Sequence, residues 1–375
     1  MDVSVNTLSR PASAVPSTPV PNRLYVAYLR SSLSRRLGAG LALAALTGAG
    51  ASALLSGQAQ AQAAKSQQIL LVSYAVTKAA YDQIIPQFQA DWKKKTGQSV
   101  VIKTSYGGSG SQTRAVLDGL EADVVGLALE GDVIKIQEGG LIKPGWQREF
   151  PNGSVITNSV VAFFVRPGNP KKINGWKDLD NKDVDVVTAN PKTSGGARWN
   201  FLGLWGSETE NGGSEAQARK FITTVYKNVD VLPKDAREAS DVFLKRGQGD
   251  VMLNYENEAI AARKSGELKQ AFLVPDQNIS IDGPIAVVDK NVAKHGTRKA
   301  SEALAAFLQS EKAQEIFAEE GFRPVTPSAW AKVKSRFAPV NRLFSVADFG
   351  GWKSVNSTFF DDGGLWDQIF RNRQR

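Results

Sequence analysis

The chain of 375 residues contains no cysteine and a single histidine, His295. The first absence removes disulfides, thiol nucleophiles, thiolate metal sites and cysteine-linked lipids. The second removes multi-His zinc sites and His-dependent triads and relays. Most hydrolytic and redox enzymes are thereby left without their usual groups, and neither a metal nor a cofactor is expected. A clustered basic face is also missing, although 46 Lys+Arg against 37 Asp+Glu give a formal charge of +9. Nucleic-acid binding by counterion release wants such a cluster. Internal repeats and low-complexity stretches are lacking beyond the N-terminal region. With 42% apolar and 22% charged residues, what is present is an ordinary globular composition, long enough for two units.

Acid is nearly missing from the first 60 residues, where Asp2 stands against Arg10, Arg23, Arg30, Arg35 and Arg36. The apolar run LGAGLALAALTGAGASALL follows, and then AQAQAAKS. A basic stretch, an apolar core and Ala-x-Ala are the pattern of a secretory signal peptide, with cleavage expected near Ala61–Ala63 and export to the periplasm. Gly and Ser interrupt the run, which argues against a permanent membrane span. Arg35-Arg36 allows a twin-arginine route, with Sec export the alternative. Loss of residues 1–61 removes five Arg and one Asp and leaves 41 Lys+Arg against 36 Asp+Glu, a charge of +5. Arg371, Arg373 and Arg375 carry three of those charges, so the body is close to neutral.

From residue 66 strand-like runs alternate with helix-period segments. ILLVSYA (69–75), SVVIKTSY (99–106) and ADVVGLAL (122–129) are each followed by a helical stretch, and Pro86 is expected to kink or split the first. This order implies a parallel sheet with helices on both faces. A second α/β series follows NSVVAFFVRPGNP: VDVVTA, a helix from Ser194, a helix near 215–227, VDVLP, a helix from Asp235, and DVMLNY. GPIAVVD (283–289) reads as a return strand. The expected fold class is α/β with two lobes and a ligand cleft between them, at the carboxyl ends of strands. The expected divisions are 1–63 for the extension and signal peptide, 64–164 for the first lobe, 165–284 for the second, and 285–375 for a return to the first.

Four strand-to-helix junctions place small or polar residues at a helix start: Tyr106–Ser111, Asn190–Arg198, Lys234–Arg237 and Asn254–Asn257. A helix N-terminus has unpaired N–H groups and partial positive charge, and glycine lets the backbone approach an anion closely. Several such ends on one cleft would hold an anion without Lys or Arg. Each junction alone also reads as a turn and an N-cap. The Gly107–Ser111 loop lacks the Gly-Lys-Ser/Thr ending of a nucleotide-binding P-loop. Lys192 and Arg198 are expected to be solvated, Glu256 and Glu258 to stabilise a helix N-terminus, and His295 to lie on the surface. Trp92, Trp199, Trp205, Trp352 and Trp366 are expected in the core or between lobes.

NPKTSGGAR (190–198) is similar to the second signature of prokaryotic sulfate-binding proteins, and KKKTGQSVVIKTSYGGSGSQ (93–112) resembles the first. VRPGNP, GARWNFLGLWG, GDVMLNYENEA and FGGW extend the resemblance over residues 68–370. It implies a two-lobed type II periplasmic binding protein, not an enzyme, that captures sulfate or thiosulfate as a monomer. Delivery to the permease and ATPase subunits of an ABC importer is part of the same implication. Carried over, it implies donors at the Ala75 N–H, the Ser109 hydroxyl, the Ser194 hydroxyl, the Gly195, Gly196 and Ala236 N–H groups, and the side chain of Tyr255. The family often has Asp in place of Ala75 and Trp in place of Tyr255. Tyr255 can donate its O–H but can also accept. Wider oxyanion binding (phosphate or molybdate), an enzyme of sulfated or phosphorylated substrates, and an anion sensor without transport are the rival readings.

Overall fold

The computed structural model describes residues 66–269 and 272–373, and the expected export segment lies outside them. The chain starts with β1 (Gln67–Tyr74), α1 (Lys78–Thr96), β2 (Val100–Gly107), α2 (Ser109–Leu117), β3 (Val124–Gly126) and α3 (Glu130–Glu138). β1 pairs in parallel with β2 on one side and β3 on the other. Alternate β1 residues enter different cores, Ile69 and Leu71 one and Val72 the other, because successive side chains point to opposite faces. Tyr74 is in register with Gly107 and Ser73 with Gly126, so all three strands end along one edge.

β4 (Val155–Ser159) is followed by β5 (Val161–Val165), β6 (Val186–Val187), α4 (Gly195–Thr209), α5 (Glu215–Lys227), α6 (Ala236–Ser240), β7 (Val251–Tyr255) and α7 (Glu256–Lys264). β5, β7 and β6 form a second sheet in that order. β8 (Gln277–Ile279) leads to β9 (Ile281–Val287), which returns to the first sheet antiparallel to both β3 and β4. The first sheet thus has the order β2-β1-β3-β9-β4 and is mixed rather than wholly parallel. The chain crosses between sheets at Val160 and Ser280, a few residues before the expected boundaries at 164 and 284. Among the described residues no helix is long and apolar enough to cross a membrane.

α8 (Asp289–His295), α9 (Arg298–Leu308) and α10 (Glu311–Glu319) follow, with α9 and α10 packed on α1. After α11 (Pro327–Val333), β10 (Arg342–Phe344) pairs with β8. α12 (Gly351–Val355) and α13 (Leu365–Arg373) complete the chain. Residues 285–319 stay with the first lobe, whereas the aromatic residues of the last stretch pack on the second. This departs from the expected return of all of 285–375 to the first, and Trp352 and Asp361 also touch α3. The Phe201 ring of α4 lies 5.6 Å from Phe359 and 5.4 Å from Phe360, and Tyr226 of α5 lies 4.9 Å from Trp366. These aromatic faces exclude water, which composition alone does not assign to a lobe.

Two local expectations are corrected. α1 runs through Pro86 without splitting. Pro86 is exposed, so the carbonyl four residues back, deprived of its N–H partner, turns to water rather than to a dry interior. VDVLP forms no strand; the Asn228 and Pro233 carbonyls at its ends accept from the Val186 and Asn190 N–H groups and hold it beside β6.

Candidate functional site

The strand-end edges of both sheets meet at a cavity of about 10 Å3, far below the size of pockets for drug-sized ligands. Ala75, Ser109, Ser194, Gly195, Gly196, Ala236 and Tyr255 all line it, together with Tyr74, Val76, Ala128 and Asp235. No Lys or Arg does. The first sheet supplies its wall through the turn after β1, the start of α2 and the segment after β3. The second supplies the starts of α4 and α6 and the end of β7.

Each helix begins where its sequence dictates. Ser194 has extended φ/ψ and its hydroxyl oxygen accepts from the Ala197 N–H at 3.3 Å, a serine N-cap that opens α4 at Gly195. Asp235 caps α6 in the same way, accepting from the Glu238 N–H at 2.9 Å. Gly108 begins α2 without a side-chain cap. The N–H groups of Ala75, Ser109, Gly195, Gly196 and Ala236 have no acceptor among the described residues. The Ser194 hydroxyl proton also has none. Helix starts therefore aim donors and partial positive charge at one small space.

The Tyr255 hydroxyl is buried and without a hydrogen-bond partner. A Cβ added to Gly196 would lie 3.2 Å from Tyr255 Oη and closer still to its ring, so the phenol lies directly on the α4 start. Burial, reinforced by Tyr74, Glu258 and Asp132, raises the Tyr255 pKa well above 10 and keeps the proton available for donation. A buried hydroxyl left unpaired costs about 1–3 kcal/mol, so this one marks the place of an acceptor.

Ser109 is arranged differently from the expected donor. Its hydroxyl donates to Asp132 Oδ2 at 2.6 Å and accepts from the Ala128 N–H at 3.0 Å, which leaves the Ser109 N–H as its unpaired donor. Asp132 also accepts from Arg198 Nη1 at 2.8 Å across the lobes, both side chains being buried. The positive charge next to the cavity is therefore neutralised before any anion arrives. Arg198 is buried rather than solvated, and the half-buried Lys192 donates to the Phe360 carbonyl and pairs with Asp367 at 2.9 Å.

The paired glutamates lie in the first turn of α7, as expected, and each also has an ionic partner. Glu256 forms a two-pronged bond with Arg323, at 2.6 and 3.0 Å. Glu258 pairs with Arg237 at 2.8 Å and accepts from Ser240, and burial pushes its pKa up to about 7. Asn254 donates to both Ser240 and the Ala236 carbonyl, which ties α6 to β7 behind the cavity. His295 is exposed as expected; its Nδ1 lies 2.8 Å from Asp123 and its Nε2 3.0 Å from Glu121, and both carboxylates raise its pKa. All five singled-out tryptophans are buried, and the Trp199 indole N–H donates across the lobes to the Ala128 carbonyl at 2.8 Å. Asp132 and Arg323 carried no sequence signal, since their partners lie 66 and 67 residues away and no helical or strand period connects them.

Residues 69–323 match the family described as bacterial extracellular solute-binding protein. The chain is 58% identical over 303 residues to the sulfate-binding protein of Synechococcus elongatus, covering 80% of this chain and 86% of that one. It is 40% identical over 323 residues to the thiosulfate-binding protein of Pseudomonas aeruginosa, covering 85% and 97%. The structure of the sulfate-binding protein SubI from Mycobacterium tuberculosis superposes with a TM-score of 0.72 at 36% identity, covering 79% of this chain and all of that one. Its fold is that of the two-lobed type II binding proteins, and the chain belongs to the bacterial extracellular solute-binding proteins, in the group that holds the sulfate- and thiosulfate-binding proteins.

Proposed function

We propose that the protein is a periplasmic receptor for sulfate or thiosulfate that hands its ligand to the permease and ATPase of an ABC importer. Ala75, Ser109, Ser194, Gly195, Gly196, Ala236 and Tyr255 form its binding site. The observation that carries this reading is the unpaired, buried Tyr255 hydroxyl in a cavity where five backbone N–H groups also lack an acceptor among the described residues. Sulfate is fully deprotonated near neutral pH, so every oxygen accepts. Phosphate keeps a proton and needs an acceptor. With the Asp235 carboxylate engaged by the Glu238 N–H, the remaining wall of donors leaves that proton unpaired, at a cost of about 1–3 kcal/mol. The arrangement offers capture without a nucleophile or a metal, and the site acts on one ligand in one receptor monomer.

Calorimetric titration of the chain from residue 62 with sulfate, thiosulfate, phosphate and molybdate tests this. The expected result is tight one-to-one binding of sulfate or thiosulfate with phosphate silent. Phosphate binding of equal strength would identify an acceptor in the site, and the Asp235 carboxylate, which lines the cavity, is the group that could serve. No binding of any of the four would end the proposal.

A further inference from the structure

The two lobes touch through backbone beside the cavity, and a glycine makes that contact possible. Gly108 has φ −63 and ψ 135, an ordinary extended conformation open to any residue. Nothing in its own lobe demands glycine there. A Cβ at 108 would instead meet the Thr193 carbonyl oxygen of the second lobe well inside 3.0 Å, a separation that real Cβ atoms essentially never show, and the Lys234 carbonyl oxygen at 3.0 Å. Neither obstacle is a flexible side-chain end. Thr193 Oγ1 donates to the Lys234 carbonyl at 2.6 Å, the Thr193 N–H donates to the Asn190 carbonyl, and the Asn190 N–H donates to the Pro233 carbonyl. The second-lobe wall is pinned as one piece. Beside it, the Ser111 N–H donates to the Thr193 carbonyl at 3.3 Å and Arg114 to the Lys192 carbonyl at 2.9 Å.

We propose that Gly108 is a positioning residue for closure: its missing side chain sets how near the lobes approach, and that approach brings the donors of both lobes within reach of one anion. This rests on the receptor reading above. A methyl at 108 leaves the first lobe intact and holds the cleft ajar. First-lobe donors at Ala75 and Ser109 and second-lobe donors at Ser194, Gly195, Gly196, Ala236 and Tyr255 then cannot converge on a small ion.

The test is Gly108→Ala in the full mature chain, followed by calorimetry with sulfate and thiosulfate, thermal melting without ligand, and small-angle X-ray scattering with and without sulfate. The expected result is a variant that still melts cooperatively without ligand, at most slightly destabilised by the lost glycine N-cap. It should bind at least a hundredfold more weakly and lack the compaction expected of the wild type on adding ligand. Wild-type affinity with wild-type compaction in the variant would overturn the proposal. So would a variant that fails to fold, since the argument places no demand for glycine inside the first lobe. If the wild type binds neither anion, the receptor reading fails first, and that outcome is separate because it is read on the unmutated chain.

Discussion

At the scale of single residues, Ser194 and Tyr255 differ in a way that makes their variants informative. Ser194 has two roles, since its oxygen caps α4 through the Ala197 N–H while its proton remains free. Ser194→Ala is expected to weaken sulfate binding tenfold to a hundredfold, the loss of a charge-assisted bond of roughly 1.5–3 kcal/mol. It should also destabilise the ligand-free protein by about 1 kcal/mol through the lost cap. Tyr255 has only the first kind of effect, because its hydroxyl bonds nothing within the protein. Tyr255→Phe is therefore expected to weaken binding similarly while leaving the ligand-free protein as stable or slightly more so. Calorimetry and urea denaturation on both variants check this pair, and a binding-neutral Tyr255→Phe would remove that hydroxyl from the site. Of the lining residues, Ser109, Ser194, Gly195 and Gly196 were legible because glycine and serine at helix starts have local chemistry, whereas Ala75, Ala236 and Tyr255 came as donors only from the family resemblance. The Asp132 bond to Ser109 was not, because a buried ion pair between lobes leaves no local pattern.

At the scale of elements, most helices and strands begin where caps and alternation say they should, and the exceptions have identifiable causes. Pro86 was overruled by its exposure, and VDVLP, apolar enough for a strand, is held beside β6 by bonds at its ends without joining the sheet. α6 illustrates what supports the site from behind. Its first N–H lines the cavity, and Asn254, Ser240 and Glu258 tether it to β7 and α7. Burial raises the Glu258 pKa from 4.5 to about 7, with Arg237 and the Ser240 hydroxyl opposing and Asp235 and Asp241 adding to it. The native state then binds a proton between those values that the unfolded chain does not. This contribution is fully present below pH 4.5 and is lost as pH rises through about 7. The rise corresponds to about 3 kcal/mol at 1.36 kcal/mol per unit. Glu258→Gln is expected to flatten the fall in stability between pH 5 and pH 8, read by urea denaturation at both. At the other end of the chain, Trp366 joins α13 to Phe201 and Tyr226. Trp366→Ala is expected to cost about 3–5 kcal/mol in urea denaturation, as for other large buried aromatics. A change below 1 kcal/mol would mean that the C-terminal segment contributes little to the second lobe.

At the scale of the whole molecule, the site belongs to neither lobe alone, and that has a thermodynamic consequence. The Ala75 and Ser109 N–H groups come from the first sheet's edge, the remaining donors from the second's, and the two are joined by the Arg198–Asp132 pair and the Trp199 bond. An anion held between them binds the assembled pair of lobes and has no comparable affinity for an unfolded chain or for one lobe. By mass action it stabilises the native protein by about 2.7 kcal/mol at a hundredfold excess over its dissociation constant. The expected observation is a melting temperature that climbs with the logarithm of sulfate concentration, and with thiosulfate likewise. Chloride at equal ionic strength should leave it unchanged, because general screening does not depend on a tetrahedral set of acceptors. Both lobes should respond together. Tryptophan emission is a fair reporter of that, since Trp92 lies under the first sheet and Trp205 in the aromatic cluster of the second lobe. If sulfate protected one lobe and left the other to melt at its ligand-free temperature, the ligand would sit on a single lobe, and the cavity between the sheets would not be its site.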